Sequence, residues 1–394
     1  MPGRERVNAW RDDDRILPAE KARMKDLRIL IIGAGIGGLT AAVALRDKGF
    51  AVEMIERDPE WKVYGVGIIQ QGNVIRAMAQ LGLLEGYLDA GSPFDFLEVF
   101  TPAGVRVARI PLPKLDARYP AGLGVGRRTL HEFLGSSARA AGATIRLGAT
   151  ATRIENGTAG VDVAFSDGTS GRYDVVIGAD GVYSATREML FPEAEKPRFM
   201  GQSVWRYNLP RPAGLDAIRA YDGAIGMGLV PLSPSLMYMY VTTPEPGNPR
   251  YPREGLAARL REKLAGAAPG IAELVPLITD DDEVVYKPLE KIFIDGPWHK
   301  GRVVLLGDAV HATTPHLGQG AGMAIEDSIV LAEELARTET PEDAFRTYRD
   351  RRFERCRYIV EKSAAICEGQ LGLRPPIPNA EASAEMFRVT AQPI

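Results

Sequence analysis

The sequence predicts an α/β protein. A parallel-sheet domain is interrupted by an inserted antiparallel sheet and followed by a long C-terminal helix. Three observations carry this reading. Residues 27–33 form a short apolar run that ends in a glycine turn, enters a helical pattern and leads to a second run at 51–56, a βαβ entry. From about residue 197 the chain changes to alternating strand patterns. At 302–306 a buried strand returns, so the first domain resumes after the insertion.

Each segment follows from its pattern. The 394 residues are 45% hydrophobic and 25% charged, which is ordinary globular composition and enough for two or three domains. Residues 1–26 are rich in Arg, Asp, Glu and Lys without a strong apolar period, and read as a charged extension. Residues 27–196 are the first part of the parallel-sheet domain. They carry helices at about 73–81 and 129–141, the latter with Leu130, Phe133, Leu134 and Ala138 on one face. Runs at 97–110 and 159–165 alternate and are expected to pair as a small antiparallel piece, before a buried strand at 173–177. Residues 197–296 are the insertion, with strands at 199–209, 217–230, 236–243 and 283–293 and one amphipathic helix at 253–267. Residues 297–340 return to the first domain with a helix at 322–336. Residues 341–372 form the long helix, and 373–394, rich in Pro and Ala, are expected to be a loose tail.

Charge and cysteine usage narrow the function classes. A net charge of −3 gives no basic patch for nucleic acid or an anionic membrane. The weakly polar run at 29–45 holds four glycines and divides into strand, turn and helix, so no integral membrane segment is expected. Cys356 and Cys367, eleven residues apart on one expected helix, would stand ~16 Å apart and cannot pair. With four histidines and no cysteine cluster, no metal site is expected, and two thiols suit a reducing cytoplasm.

Three sites carry chemistry. In Gly33-Ala34-Gly35-Ile36-Gly37-Gly38, Gly33 permits the bend, Gly35 lets backbone approach a pyrophosphate, and Gly38 lets helix pack on strand. The helix start offers unpaired N–H groups to phosphate. Glu56, 18 residues after Gly38 and at the end of the next strand, is placed to accept ribose hydroxyls. This turn alone does not separate FAD from NAD. The second site is Gly307-Asp308-Ala309-Val310-His311, running on to Pro315-His316-Leu317-Gly318-Gln319-Gly320. There an acid ends a buried strand and a glycine-rich loop opens a helix whose N–H groups can face developing negative charge. The third is Gly178-Ala179-Asp180-Gly181 with Ser184 and Arg187, which read alone is equally a turn.

These motifs, in this order and spacing, resemble the group A FAD-dependent aromatic hydroxylases, the salicylate- and urate-hydroxylase-like branch most closely, over about residues 27–336. The resemblance implies a Rossmann-type FAD-binding domain with an inserted substrate sheet. It implies that Gly33, Gly35, Ile36, Gly37 and Gly38 seat the FAD pyrophosphate, Glu56 the ribose, and Arg57 the adenine side. Arg127 reaches the FAD, Asp180 is shared between FAD and the pyridine nucleotide, and Asp308 holds the ribityl and phosphate region. Pro315, Gly318, Gly320 and Ala321 lie beside the flavin ring, together with Gly322, where relatives often carry Asn. The implied activity uses NADPH or NADH, bound transiently, and dioxygen to hydroxylate a small electron-rich aromatic or N-heteroaromatic substrate through a flavin C4a-hydroperoxide.

Residues that could activate the ring are Arg206, Tyr207, Tyr238, Tyr240 and His316. Cross-strand packing competes for each tyrosine, and Tyr238 and Tyr240 share one sheet face. His311 reads as structural, and His131 and His299 as surface. The missing cysteine pair, paired-Trp motif and His-centred fingerprint argue against disulfide reductases, flavin halogenases and Baeyer–Villiger enzymes. Epoxidation, N-hydroxylation, oxidative decarboxylation and a non-catalytic redox sensor stay open, as does a monomer or a homodimer.

Overall fold

The computed structural model describes residues 27–62, 65–221, 223 and 225–394; the charged extension at 1–26 lies outside them. The βαβ entry forms as expected. Strand Arg28–Ile32 leads through helix Ile36–Asp47 to strand Ala51–Glu56, and the two strands pair in parallel. Ile29, Leu30 and Ile31 are fully buried, because helices cover both faces of a parallel sheet. Burial of each such side chain is worth about 1.5–3 kcal/mol. The sheet runs in the order His299–Lys300, Val303–Leu305, Val175–Gly178, Arg28–Ile32, Ala51–Glu56, Thr144–Leu147, parallel except for the two-residue edge at His299–Lys300. Helices Gly320–Arg337 and Pro341–Gln370 share its core. Cys356 and Cys367 both lie on the second of these helices, buried and unpaired.

The substrate-side sheet is larger than residues 197–296. Its seven strands run Val285–Lys291, Arg198–Pro210, Leu236–Pro244, Gly226–Pro231, Ile218–Tyr221, Phe96–Phe100, Arg106–Pro111. The last two come from the first segment of the chain, and Ile218–Tyr221 pairs with Phe96–Phe100 in parallel. This corrects the expected pairing of 97–110 with 159–165. The latter instead forms a meander of Ala151–Gly157, Gly160–Phe165 and Ser170–Tyr173. Alternation identified the strands but not their partners, which depend on distant sequence. The single run expected at 217–230 is two paired strands, Ile218–Tyr221 and Gly226–Pro231. A three-stranded sheet of Gly67–Gln71, Gly122–Gly126 and Gly91–Phe94 sits between the two large sheets.

The expected loose tail is also corrected. Asn379–Thr390 is a helix, with Ala382 and Met386 in the main core. No helix among the described residues is long and apolar enough to cross a membrane.

Candidate active site

The three glycine-acid motifs converge. Gly33, at φ +103, lies so close to the third motif that a Cβ would stand 2.5 Å from the carbonyl oxygen of Ala179. A Cβ on Gly38 would stand 2.0 Å from the oxygen of Gly33, so only glycine lets the helix start this near the strand. Gly35 is different: nothing lies within 4 Å of its Cβ position, and the space over it is open cavity. Ala34 N–H donates to Glu56 Oε2 at 3.0 Å, and Asp58 N–H to Oε1 at 3.0 Å, so the carboxylate braces the turn. The Ala34 carbonyl accepts from Trp61 Nε1 at 3.1 Å and His131 Nε2 at 2.8 Å, with the two rings edge to face. His131 is therefore buried, not on the surface, and burial lowers its pKa. His299 is half-buried against Phe345 rather than exposed.

Asp180 and Asp308 do different work. The Asp180 carboxylate accepts from Ser184 Oγ and, at 2.9 Å each, from Thr186 N and Oγ1, so it organises the turn before helix Ala185–Leu190. Its neighbours Ala179 and Gly181, not Asp180, line the cavity. Arg187, 2% exposed, donates to Ala309 O at 2.9 Å and ties this motif to the next. Asp308 faces the cavity and has no hydrogen-bond or ion-pair partner among the described residues. Its exposure is to this enclosed space, and burial by the surrounding protein raises its pKa.

The cavity measures about 460 Å³ and runs from these motifs into the substrate-side sheet. Helices Ile36–Asp47 and Gly320–Arg337 both start on it, and Ser328 Oγ donates to Gly37 O at 3.0 Å, joining the first turn of one to the middle of the other. Two helix starts place two positive dipole ends on one space. Pro315, Gly318, Gly320 and Ala321 line it, as do Ile36, Gly37 and Arg127. Gly33, Gly38, Glu56 and the exposed Arg57 do not. Gly322 points elsewhere: a Cβ there would meet Gln319 Oε1 at 2.9 Å and Asn73 Nδ2 at 3.3 Å. Those amides occupy the place of a side chain at 322.

This arrangement fits FAD. An open glycine turn and two helix starts suit a pyrophosphate and a ring bearing negative charge, and a partnerless carboxylate suits hydroxyl donors. The FAD binding domain family matches residues 26–363. The chain belongs to the group A FAD-dependent hydroxylases. It is 32% identical over 350 residues to YetM of Bacillus subtilis, assigned as a FAD-dependent monooxygenase, covering 88% of this chain and 95% of that one. It is 33% identical over 315 residues to 2-heptyl-3-hydroxy-4(1H)-quinolone synthase of Pseudomonas aeruginosa strain PAO1, covering 78% and 80%. A crystal structure of Klebsiella pneumoniae HpxO with FAD and uric acid superposes with a TM-score of 0.80 at 29% identity, covering 93% and 92%.

Within this hydroxylase, four of the five candidate activating residues reach the cavity: Arg206, Tyr238, Tyr240 and His316. Tyr207 does not. It follows Arg206 on one strand, so it points through the opposite face, where its hydroxyl accepts from Asp280 N at 3.2 Å and its ring joins a separate apolar core. Tyr238 and Tyr240 share the cavity face, as their spacing requires. Arg206 has no hydrogen-bond or ion-pair partner among the described residues. Burial lowers its pKa, yet a guanidinium starts so far above neutrality that it remains a cation. Burial also raises the Tyr238 pKa, keeping that phenol neutral. His316 is enclosed, with Nε2 3.2 Å from Gln370 Oε1 and Nδ1 3.0 Å from Thr314 Oγ1, and burial lowers its pKa to about 4.

Behind the loop lies a polar cluster that single-sequence reading missed. Gln71 Nε2 donates to Leu317 O at 3.1 Å, and Gln319 Nε2 to Gln71 and Asn73. Asn73 reaches Glu326, which pairs with Arg352 at 2.8 Å and Arg355 at 2.9 Å. His311 is structural, as expected: it pairs with Asp327 at 2.7 Å, and Asp327 also accepts from Gly307 N. Burial works against charge on His311, but Cys356 and Asp327 hold its pKa well above the ordinary value. His311, Asp327 and Cys356 have ligand atoms within 4.8 Å of one another, but the cation in that place is Arg352, with Nε 2.7 Å from Asp327.

Proposed function

We propose that this hydroxylase uses NADPH or NADH and dioxygen to hydroxylate a small electron-rich aromatic or N-heteroaromatic ring with an ionisable hydroxyl or amide. The observation that carries this reading is Arg206, an unpaired cation beside neutral Tyr238 in the cavity that adjoins the flavin loop. FAD, when bound, supplies the reductive activation of dioxygen. The protein's task is to place the ring, exclude water and favour its anionic, electron-rich form. Arg206 stabilises that anion, because a positive charge in a poorly solvated site lowers a neighbouring pKa. Tyr238 and Tyr240 flank the ring. His316, enclosed and neutral at physiological pH, orients the flavin loop through Thr314 and Gln370 rather than exchanging protons.

The test is oxidation of NADH and NADPH, with peroxide measured, across phenols, aminobenzoates and N-heteroaromatics. A ring that speeds oxidation without raising peroxide supports hydroxylation, and no stimulation by any ring defeats the reading. Asp308→Asn should purify folded but with FAD affinity at least about tenfold lower, since the carboxylate has no protein partner to lose. Equal FAD retention would remove Asp308 from the cofactor site.

A further inference from the structure

Neither the motifs nor the activity gives work to the last helix, yet Asn379–Thr390 forms part of the cavity wall. Ala382, Ser383, Met386 and Phe387 all face the cavity, at the i, i+1, i+4, i+5 spacing of one helical stripe. Phe387 also packs on the apolar cluster that holds Tyr238 and Tyr240, so it reaches the substrate-side sheet from the opposite end of the chain. Met386 Sδ lies 3.4 Å from Gln319 Nε2 and touches the flavin loop's amide cluster.

A helix of twelve residues is marginal alone, so its position needs an outside cause. Three arginines supply it. Arg76 donates to Thr390 O and Ala391 O at 3.1 Å each. Arg355 donates to Gln392 O and Pro393 O at 2.7 Å each, and Arg351 to Ile394 O at 2.6 Å. Arg76 and Arg355 also meet Glu326, one carboxylate shared with Arg352, so cationic donors outnumber it and carbonyl oxygens take up the excess. The helix thus presents its negative dipole end to positive charge. Lys362 pairs with Glu385 at 2.6 Å and fixes the rotation that turns Met386 and Phe387 inward.

We propose that this C-terminal helix determines specificity. Phe387 and Met386 limit the length of an apolar substituent on the ring, and Ser383 marks where the wall has room to spare. The proposal rests on the hydroxylase reading above.

The test uses the FAD-loaded full chain and two probe series, 2-alkyl-4-quinolones and 4-alkylphenols, each from methyl to heptyl. Two readouts are taken: the ligand-induced change in the flavin absorbance spectrum, giving Kd, and ring-stimulated NADH or NADPH oxidation. Phe387→Ala should shift the ratio of heptyl to methyl affinity by about tenfold or more toward heptyl. Ser383→Leu, at a half-buried position, should shift it toward methyl and keeps the test alive if Phe387→Ala fails to fold. If the wild type responds to the probes and both variants keep its ratio, the proposal is overturned while the hydroxylase reading stands. If the wild type responds to no probe in either readout, the proposal is overturned, and the hydroxylase reading is decided separately by the wider ring panel above.

Discussion

Around His316, polar partners and burial act in opposition. Its ring nitrogens have Thr314 and Gln370 for neighbours, while burial pushes the pKa to about 4. The unfolded chain holds this imidazole near 6.5, so between pH 6.5 and 4 the unfolded state binds more protons and stability falls as pH falls. The loss attributable to His316 reaches about 3 kcal/mol at pH 4. Unfolding of wild type and His316→Gln from pH 7 to 4 should show the steeper acid loss only in the wild type; parallel curves would contradict the assignment. At this scale the sequence was legible where geometry demands one residue type, as at Gly33 and Gly38. It misled where burial is tertiary. Nothing near His131 in sequence announces that Ala34 O and the Trp61 ring will cover it. Period two already forbade Arg206 and Tyr207 from sharing a face, and applying it strictly would have excluded Tyr207.

Among elements, the first strand-turn-helix separates two kinds of glycine. Gly38→Ala would drive a Cβ to 2.0 Å from the Gly33 carbonyl, so the helix must move off the strand. An apparent destabilisation of about 2 kcal/mol or more, with loss of FAD, is expected in thermal or denaturant unfolding. Gly35→Ala meets no protein atom within 4 Å, and Gly35 sits at φ −81, which any residue adopts. It should leave the apo-protein's Tm unchanged and weaken FAD binding in reconstitution titrations. Equal effects of the two substitutions on Tm would refute the distinction. The main elements were legible because their periods are clean: Arg127–Ala140 and Pro341–Gln370 fall within two residues of expectation. The helix Asn379–Thr390 was not, because a short segment between prolines carries weak local preference and gains its order from the Arg76, Arg351 and Arg355 contacts.

For the molecule as a whole, the cavity lies where the parallel and antiparallel sheets meet, a common place for ligands. The sequence told that the second sheet exists but not that Phe96–Phe100 and Arg106–Pro111 complete it, since parallel pairing with Ile218–Tyr221 leaps across more than a hundred residues. The same long reach governs the first sheet. Arg28–Ile32 is flanked by Val175–Gly178, which is flanked in turn by Val303–Leu305, and the Gly320–Arg337 helix comes later still. At ribosomal rates of ~5–20 residues per second, the turn at Gly33 emerges roughly 15 to 55 s before Gly307. During that interval the nascent chain holds half a nucleotide cradle, its strand edge still without the partners Val175–Gly178 and then Val303–Leu305 in turn. Cofactor capture therefore waits on the later motif, although the residues that begin the cradle leave the ribosome some 274 residues before it.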